Sequence, residues 1–429
     1  MMNINRRQLL IGLSAAALPQ PILAAESSVI LRPTRVGLSV NGRMIEMLGF
    51  NNSVPGPEIR LPQNDTLSAR LENTLEEGTM IHWHGIRLPN TMDGVNVLTQ
   101  DAVIPGGSFD YRFAVPDAGT FWYHSHYLSL DQVSRGMFGP LIVEERNPPD
   151  VDQDITIQLL DILTDAEGNF DRAFHPAHYT TEGRLGDVMT AFSSSSQTRV
   201  GERLRLRLIN PSVDRVFKIA LQGLSGVVVA LDGMPLAEPQ LLSELVLAPG
   251  QRVDVIGDVE ADVHVLEQSA SKPLLLTKIS PSGSRDERQT AFAPLPPNCL
   301  PQPGRITQSV DLVMQGGAGG KPHGGFGSWA LNDVSGLPRQ PIISAGRGET
   351  VLIRLRNDTA FPHGIHLHGH HFWETDESQA PTVLRDTTLV EAGESREILC
   401  VLDNPGAWLI HCHMLSHQED GMATWLLVA

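Results

Sequence analysis

The segment NDTLSARLEN (residues 64–73) has two further versions in the chain, GERLRLRLIN (201–210) and GETVLIRLRN (348–357). Each version alternates apolar and polar residues and ends in Asn. A period of two is typical of a half-buried β-strand, because successive side chains point to opposite faces of the sheet. Three similar strands at similar wide spacing predict three similar domains.

Short strand-like segments separated by Gly and Pro surround the three copies, and helical periodicity is almost absent. This pattern predicts an all-β protein whose three domains are antiparallel β-sandwiches or Greek-key barrels. Proline clusters at 145–149 and 294–303 indicate the boundaries. We therefore expect domains at residues 26–146, 147–300 and 301–429.

Residues 1–25 have the composition of a cleaved export signal. Arg6 and Arg7 precede a short apolar run, Leu9–Leu18, which is about half as long as a membrane span. The arginine pair indicates the Tat route. We expect the Tat machinery as a partner, a periplasmic location, and no membrane span once the signal is removed.

The formal net charge is −17, and it would be −19 without the two arginines of the signal. Such an acidic chain argues against nucleic acid or an anionic membrane as a partner, because phosphate groups need clustered Lys and Arg. Metal ions and cationic substrates are not repelled. We expect the mature chain to be a monomer.

The chain has three cysteines, an odd number for a protein in an oxidising compartment. If Cys412 is held by another partner, Cys299 and Cys400 could form a disulfide. They could equally be two unrelated buried thiols.

Histidine pairs follow the repeated strand in two of the three copies. His82 in MIHWHG and His366 in GIHLHG each lie nine residues after the final Asn. The middle copy has Ile219 and Leu221 in the equivalent places. The middle domain therefore keeps the strand and lacks the imidazoles.

A second repeat carries two more pairs. PGGSFDYRFAVPDAGTFWYHSH (105–126) and AGESREILCVLDNPGAWLIHCH (392–413) each place a His-x-His pair 18 residues after a Gly. The middle copy leads instead to VHVLEQ (263–268), which has no such pair. We therefore expect the middle domain to be a structural spacer.

Each His-x-His pair presents two imidazoles on one face of a strand, because residues i and i+2 point the same way. Eight neutral imidazoles brought together from the first and third domains could hold two or three borderline metal ions. The eight are His82, His84, His124, His126, His366, His368, His411 and His413.

Strand alternation places Cys412 on the opposite face from His411 and His413, and so in a different site. A thiolate, two histidines and a weak axial thioether form a blue-copper electron-transfer site. His363, Cys412, His417 and Met422 supply that set. Structural zinc is the alternative, but it explains neither Met422 nor the cysteine between two histidines. The shared backbone would connect the two sites for electrons.

This arrangement resembles the multicopper oxidases of the laccase, ascorbate oxidase and bacterial copper-resistance kind. The motifs are HWHG at 82–85, HSH at 124–126, HGIHLHG at 363–369 and HCHMLSHQEDGM at 411–422. The resemblance implies three cupredoxin-like Greek-key domains and four coppers per chain, with a type 1 copper in the third domain and a trinuclear cluster between the first and third.

The resemblance also implies a ligand for each copper. The type 1 ligands would be His363, Cys412, His417 and Met422. The type 2 ligands would be His82 and His366, and the type 3 ligands would be His84, His124 and His413 for one copper and His126, His368 and His411 for the other.

Two residues depart from the family pattern. Gly364 replaces a proline that is common after the first type 1 histidine, which we expect to loosen the loop that carries His363. Gln418 replaces a glutamate of many bacterial members, and an amide cannot deliver a proton as a carboxylic acid can.

Proton supply would then fall to Asp93, which matches an acidic position near the type 2 copper of relatives, together with Glu419. The alternative for Glu419 is a solvated acidic turn. His370 and His371 match no ligand position, and we expect them to have supporting or surface roles.

The resemblance implies an oxidoreductase that takes electrons from a reducing substrate and reduces O2 to water. Only ten methionines remain outside Met1 and Met2, and they are scattered, which favours a laccase-like oxidation of phenolic or aromatic donors over a cuprous oxidase of copper homeostasis. A copper-binding electron carrier would not need the eight cluster histidines. A copper-free structural relative would be expected to have lost ligands.

Overall fold

The computed structural model describes residues 26–286, 290–318 and 328–429. The predicted export signal, residues 1–25, lies outside the described residues. The described part consists mainly of β-strands with three short α-helices, so the all-β prediction is confirmed. None of the helices described is long and apolar enough to cross a membrane.

The first domain contains three sheets, with strand orders β1-β5-β7, β4-β9-β8-β6 and β2-β3. Its strands are β1 (Glu26–Leu31), β2 (Pro33–Val40), β3 (Arg43–Phe50), β4 (Ile59–Pro62), β5 (Thr66–Glu72), β6 (Ile81–His84), β7 (Ser108–Ala114), β8 (Gly119–Ser125) and β9 (Phe138–Glu144). Helix α1 (Ser129–Ser134) and a 3-10 turn (Asn90–Met92) lie between strands.

The second domain is built around one nine-stranded sheet. Its elements are β10 (Gln153–Ile162), α2 (Pro176–Thr180), β11 (Val188–Ser193), β12 (Gln197–Val200), β13 (Arg203–Ile209), β14 (Phe217–Leu231), β15 (Met234–Leu241), β16 (Leu245–Leu247), β17 (Arg252–Glu267) and β18 (Leu274–Ser284).

The third domain has a six-stranded sheet, β20-β19-β22-β27-β24-β25, and a five-stranded sheet, β21-β29-β28-β23-β26. Its elements are β19 (Ile306–Gln315), β20 (Ala330–Leu331), β21 (Ile343–Ala345), β22 (Glu349–Asn357), β23 (His363–Leu367), β24 (Phe372–Thr375), β25 (Pro381–Arg385), β26 (Thr387–Val390), β27 (Ser395–Leu402), β28 (Gly406–Cys412), α3 (Leu415–Glu419) and β29 (Ala423–Val428).

The sheets are mixed rather than purely antiparallel, which corrects one detail of the expected architecture. Strand β5 pairs in parallel with β1, β13 with β10, and β22 with β19. Each of these strands also has an antiparallel neighbour, which is β7, β17 or β27. The three repeated strands thus have the same central position in their domains.

The Asn that ends each repeated strand has the same structural role in all three domains. The side-chain amide of Asn73 donates to the carbonyls of Glu77 and Val103, both at 2.8 Å. Asn210 and Asn357 each donate in the same way to carbonyls of two separate segments. A buried amide that satisfies otherwise unpaired carbonyls explains why the repeat ends in this residue.

The first and third domains share one continuous apolar core. Trp83 and Tyr123 of the first domain belong to the same buried cluster as Trp408 and Ile410 of the third. The second domain has a separate core that includes Ile219 and is built from its own sheet. This packing holds strands β6 and β8 close to β23 and β28.

All three cysteines are free thiols. Cys299 is exposed and Cys400 is buried, where its Sγ lies 3.7 Å from the carbonyl oxygen of His371. The structure therefore agrees with the second alternative in that the two thiols are unrelated, but Cys299 is exposed rather than buried.

Candidate metal centres

Paired strands bring the His-x-His pairs together. In the β6–β8 register His82 lies opposite His124, and in the β23–β28 register His366 lies opposite His411. All eight histidines of these pairs are buried. The ring of His84 stacks on that of His366 with centroids 3.8 Å apart, so the first and third domains meet at these imidazoles.

The histidine nitrogens form three groups in which the donor atoms lie within 4.8 Å of one another. The first two groups have no residue in common, and the third shares His84 with the first. The groups are His84, His124 and His413; His126, His368 and His411; and His82, His84 and His366.

Backbone carbonyls fix the protonation of several rings. Nδ1 of His82, His124 and His366 donates to the carbonyl oxygens of Asp93, Ser125 and Asp386 at 2.8–2.9 Å. In a neutral imidazole the other nitrogen, Nε2, then carries the lone pair.

Those lone pairs are buried and have no hydrogen-bond partner among the described residues. The same holds for Nε2 of His126 and for both nitrogens of His413. A buried, unpaired acceptor is costly unless another group binds it. Imidazole nitrogens that face one another in this way fit metal ions.

Burial keeps these rings neutral. It lowers the pKa of His84, His124 and His413 well below the ordinary histidine value, and neighbouring imidazoles lower it further. The pKa of His126 falls to about 3 for the same reasons. Only a neutral imidazole can ligate a metal, so the rings are in the required form near neutral pH.

Two buried carboxylates lie against the cluster. Asp93 accepts a hydrogen bond from His368 Nδ1 at 3.0 Å, and its Oδ1 lies 3.2 Å from His82 Nδ1. Asp386 accepts one from His84 Nε2 at 3.2 Å. Each acid thus binds one nitrogen of a ring and orients that ring so that its other nitrogen faces the cluster.

Sequence reasoning found Asp93 and missed Asp386. Asp386 belongs to no repeat and lies 302 residues from His84 along the chain. The available signal was weak: Asp386 directly precedes the short strand β26 (TTLV), where a buried charge would require a partner.

A separate group lies on the other face of β28. Cys412 Sγ is 3.6 Å from His363 Nδ1 and 3.7 Å from His417 Nδ1, and the two nitrogens are 3.1 Å apart. All three side chains are fully buried. These distances allow the three atoms to share one ion.

The outer nitrogens of this group are already paired. Nε2 of His363 bonds to Thr359 Oγ1 at 2.8 Å, and Nε2 of His417 donates to the carbonyl of Thr181 at 2.9 Å. Nδ1 is therefore the free nitrogen of both rings. Burial raises the pKa of the Cys412 thiol, so an ion must displace its proton to gain a thiolate ligand.

Met422 is fully buried beside this group. Its backbone amide donates to the carbonyl of His417 at 2.9 Å, and its carbonyl accepts from the amide of Cys412 at 3.1 Å. Two backbone hydrogen bonds thus fix the methionine relative to the cysteine and the histidine.

The second domain contributes more than the expected spacer. Ile219 and Leu221 are buried in its own core, in agreement with their apolar character. However, Thr181 covers His417, and Asp214 Oδ1 accepts bonds from the amide and hydroxyl of Ser416 at 3.1 and 2.8 Å. No repeat or motif marked either contact.

Gly364 lies within a strand rather than a loop. It pairs with Leu389 of β26, and its carbonyl accepts a hydrogen bond from the His413 amide at 2.6 Å. The expected placement of Gly364 in a loop is therefore wrong, and strand pairing together with this hydrogen bond holds the backbone next to His363.

Glu419, His370 and His371, which the sequence placed near the copper ligands without a ligand role, differ in burial. Glu419 is exposed, whereas His370 and His371 are buried, so a surface role for the two histidines is wrong. His370 Nδ1 donates to the His368 carbonyl at 3.2 Å, and His371 Nε2 lies 3.6 Å from Asp386 Oδ2.

Comparison with known proteins gives a consistent result. Three family models, each described as multicopper oxidase, match residues 34–148, 159–266 and 307–429. The multicopper oxidase MmcO of Mycobacterium tuberculosis is 29% identical over 97% of this chain and 90% of its own length.

Two solved structures are similar over nearly the whole chain. Lac15, from a marine microbial metagenome, is 44% identical with a TM-score of 0.81, over 94% of this chain and 100% of its own. A multi-copper oxidase from Pseudomonas thermotolerans is 32% identical with a TM-score of 0.84, over 95% of this chain and 100% of its own.

Proposed function

The chain belongs to the multicopper oxidase family and is an oxidoreductase, and we propose that it couples one-electron oxidation of a reducing substrate to four-electron reduction of O2 to water. The observation that carries this proposal is the position of Cys412. Its Sγ faces His363 and His417, whereas His411 and His413 belong to the histidine groups of the other face.

We propose four coppers per chain. The unpaired buried nitrogens and the three-atom groups support this number. The proposed ligands are His363, Cys412, His417 and Met422 for type 1; His82 and His366 for type 2; and His84, His124 and His413, with His126, His368 and His411, for the two type 3 ions. Copper in such sites supplies one-electron oxidation and reduction.

The chain itself connects the two sites. Cys412 is bonded covalently to His411 and His413, and His411 Nδ1 also donates to the Cys412 carbonyl at 2.9 Å. One short backbone segment therefore joins the proposed site of electron uptake to the proposed site of O2 reduction.

We assign proton supply to Asp93. This assignment is supported by its burial and its contacts with His82 and His368. The Glu419 side chain is exposed, which favours the solvated-turn alternative for this residue, although partial burial of its carboxyl group raises the pKa. Gln418 has an amide and cannot supply a proton.

The proposed electron donor is a phenolic or similar aromatic molecule. Seven of the ten methionines outside Met1 and Met2 are buried in the core, where they are not available to collect Cu(I). These seven are Met47, Met80, Met137, Met234, Met314, Met414 and Met422.

A cuprous oxidase of copper homeostasis is the second candidate, and one observation favours it. Tyr179 lies two residues before Thr181, whose carbonyl binds His417. Burial raises the pKa of Tyr179, and the negative charges of the nearby Glu419 and Asp420 raise it further. Carboxylates this close to Thr181 and His417 would attract a cation such as Cu(I).

We further propose export by the Tat route to the periplasm, a monomeric mature chain, and domain boundaries near residues 146 and 300. The strands of each sheet all fall between these boundaries, which supports the division.

Metal analysis and oxygen consumption test the function. The purified, copper-loaded protein should contain about four coppers per chain and absorb at roughly 600 nm, as expected of Cu–thiolate bonding. It should consume O2 with a phenol. One zinc and no copper would overturn the function, and O2 uptake with Cu(I) alone would overturn the choice of donor.

A further inference from the structure

We propose that Arg252, in the domain without proposed ligands, is a positioning residue for the histidine cluster and acts through Asp386. This inference rests on the copper sites of the proposed function. It assigns a role in that function to the second domain.

All five N–H donors of the Arg252 guanidinium are used. Nε donates to the carbonyl of Thr120 in the first domain at 3.0 Å. Nη1 and Nη2 also donate to the carbonyls of Gly250 and Asp232 in its own domain, at 3.1 and 2.9 Å. The remaining two donors bind both carboxylate oxygens of Asp386 in the third domain, at 2.8 and 2.6 Å. One side chain thus joins all three domains.

Asp386 transmits this constraint to two proposed ligands of different ions. Its Oδ1 accepts a hydrogen bond from His84 Nε2 at 3.2 Å, and its backbone carbonyl accepts one from His366 Nδ1 at 2.9 Å. A bidentate pair with Arg fixes the plane of the carboxylate. The fixed carboxylate therefore directs the free nitrogen of His84, Nδ1, toward the cluster, and the bond to the Asp386 carbonyl directs His366 Nε2 the same way.

The chain makes room for this pair beside the HWHG motif. Gly85 has φ +86°, and a Cβ there would lie 2.4 Å from Arg252 Nη2 and 2.6 Å from an Asp386 oxygen. Any side chain after His84 would displace the ion pair. The glycine of the motif is thus explained by the guanidinium and not by the metal alone.

Lysine cannot replace Arg252 in this role. Its ammonium is a point charge with three donors and cannot hold a carboxylate in a fixed plane. Arg252 and Asp386 are both completely buried, so water cannot replace the hydrogen bonds that the lysine would lose. The variant Arg252→Lys therefore keeps the charge and removes the orientation.

Arg205 provides a matched control. It is also fully buried, on β13 beside β17, and it binds Asp254 and Glu145 at 2.7 and 2.8 Å. Neither acid belongs to a cluster of potential metal ligands among the described residues. Arg205→Lys therefore disturbs a comparable ion pair whose two acids contact no proposed ligand in the described part of the chain. Asp254 also accepts a hydrogen bond from the Thr120 hydroxyl at 2.7 Å, so the control shares only Thr120 with the Arg252 network.

The test compares copper content, absorbance at roughly 600 nm and O2 consumption in wild type, Arg252→Lys and Arg205→Lys. We expect Arg252→Lys to keep the absorbance, to bind less copper and to consume O2 roughly 10- to 100-fold more slowly. Arg205→Lys should match the wild type in all three.

Full copper content and rate in Arg252→Lys would overturn the inference, and so would equal losses in both variants. If Arg252→Lys does not fold, the isosteric Asp386→Asn replaces it and should show the same selective loss; unchanged copper and rate there would overturn the inference. A wild type without copper would overturn the proposed function, whereas a four-copper wild type with unaffected variants would overturn this inference alone.

Discussion

Cys412 Sγ lies 3.6 Å from His363 Nδ1 and on the opposite side of β28 from the imidazole of His411. Adjacent residues of one strand therefore belong to two different groups of potential ligands. This separation follows from the period of two in a β-strand.

Replacing Cys412 should remove one site and leave the other. We expect Cys412→Ser to abolish the absorbance at roughly 600 nm, because the thiolate is its source. The variant should retain about three of four coppers and lose donor-dependent O2 consumption. Cys400→Ser is the control, since this buried thiol contacts only a backbone carbonyl among the contacts described for its Sγ. Loss of the absorbance in the control alone would contradict the assignment.

Asp93→Asn should slow O2 reduction while the blue site is still reduced by the donor. An amide can accept the hydrogen bond from His368 but cannot deliver a proton. Loss of a general acid typically costs about 10²- to 10⁴-fold in rate. The measurement is O2 consumption together with stopped-flow bleaching of the blue band. An unchanged O2 rate at full copper content would show that protons arrive by another route.

Gln418→Glu should speed O2 reduction if proton delivery limits the rate. Gln418 is half-buried on α3, next to His417. A carboxylic acid at this place would add a proton donor that the chain lacks. Steady-state O2 consumption at saturating donor measures the effect. A rate equal to the wild type would mean that the missing acid is not limiting.

Glu419→Gln combined with Asp420→Asn should affect Cu(I) and phenol differently. Both carboxylates lie near Tyr179, two residues before the Thr181 carbonyl that binds His417. For the second candidate, the cuprous oxidase, removing two negative charges should raise the KM for Cu(I) by about 10-fold at low salt, whereas the KM for a neutral phenol should stay unchanged. Added salt should reduce the difference. Equal changes for both donors would indicate a structural effect.

Asp214 should make stability depend on pH. Burial raises the pKa of its carboxyl to about 6, with a further contribution from the charge of Asp161. Below pH 4 the group is protonated in both folded and unfolded chains, so it contributes nothing. As pH rises, the unfolded chain ionises first, and the cost to the folded state grows until about pH 6 and then stays constant. The wild type should therefore lose on the order of 2–3 kcal/mol relative to Asp214→Asn across this range.

Chemical denaturation of both proteins between pH 4 and 8 measures this difference. The comparison uses the slope with pH, because the substitution also changes the hydrogen bonds to Ser416 at every pH. Parallel curves for the two proteins would show that Asp214 does not titrate in this range.

Local patterns were sufficient for much of this protein. Alternation predicted the strands β5, β13 and β22, and the aligned repeats placed the histidine pairs in the first and third domains. The opposite directions of His411 and Cys412 also followed from the sequence. These features depend on neighbouring residues or on repetition, and both are visible in one dimension.

The sequence alone could not identify Asp386, Arg252, Thr181 or Asp214. Each contact joins segments far apart in the chain, such as the 134 residues between Arg252 and Asp386. Such pairs form because folding buries a charge or a carbonyl that then requires a partner, and the partner is set by how the three domains pack. The chain order therefore determined which imidazoles and sulfurs were available, whereas domain packing determined how those groups are oriented, because their outer hydrogen-bond partners come from other segments and other domains.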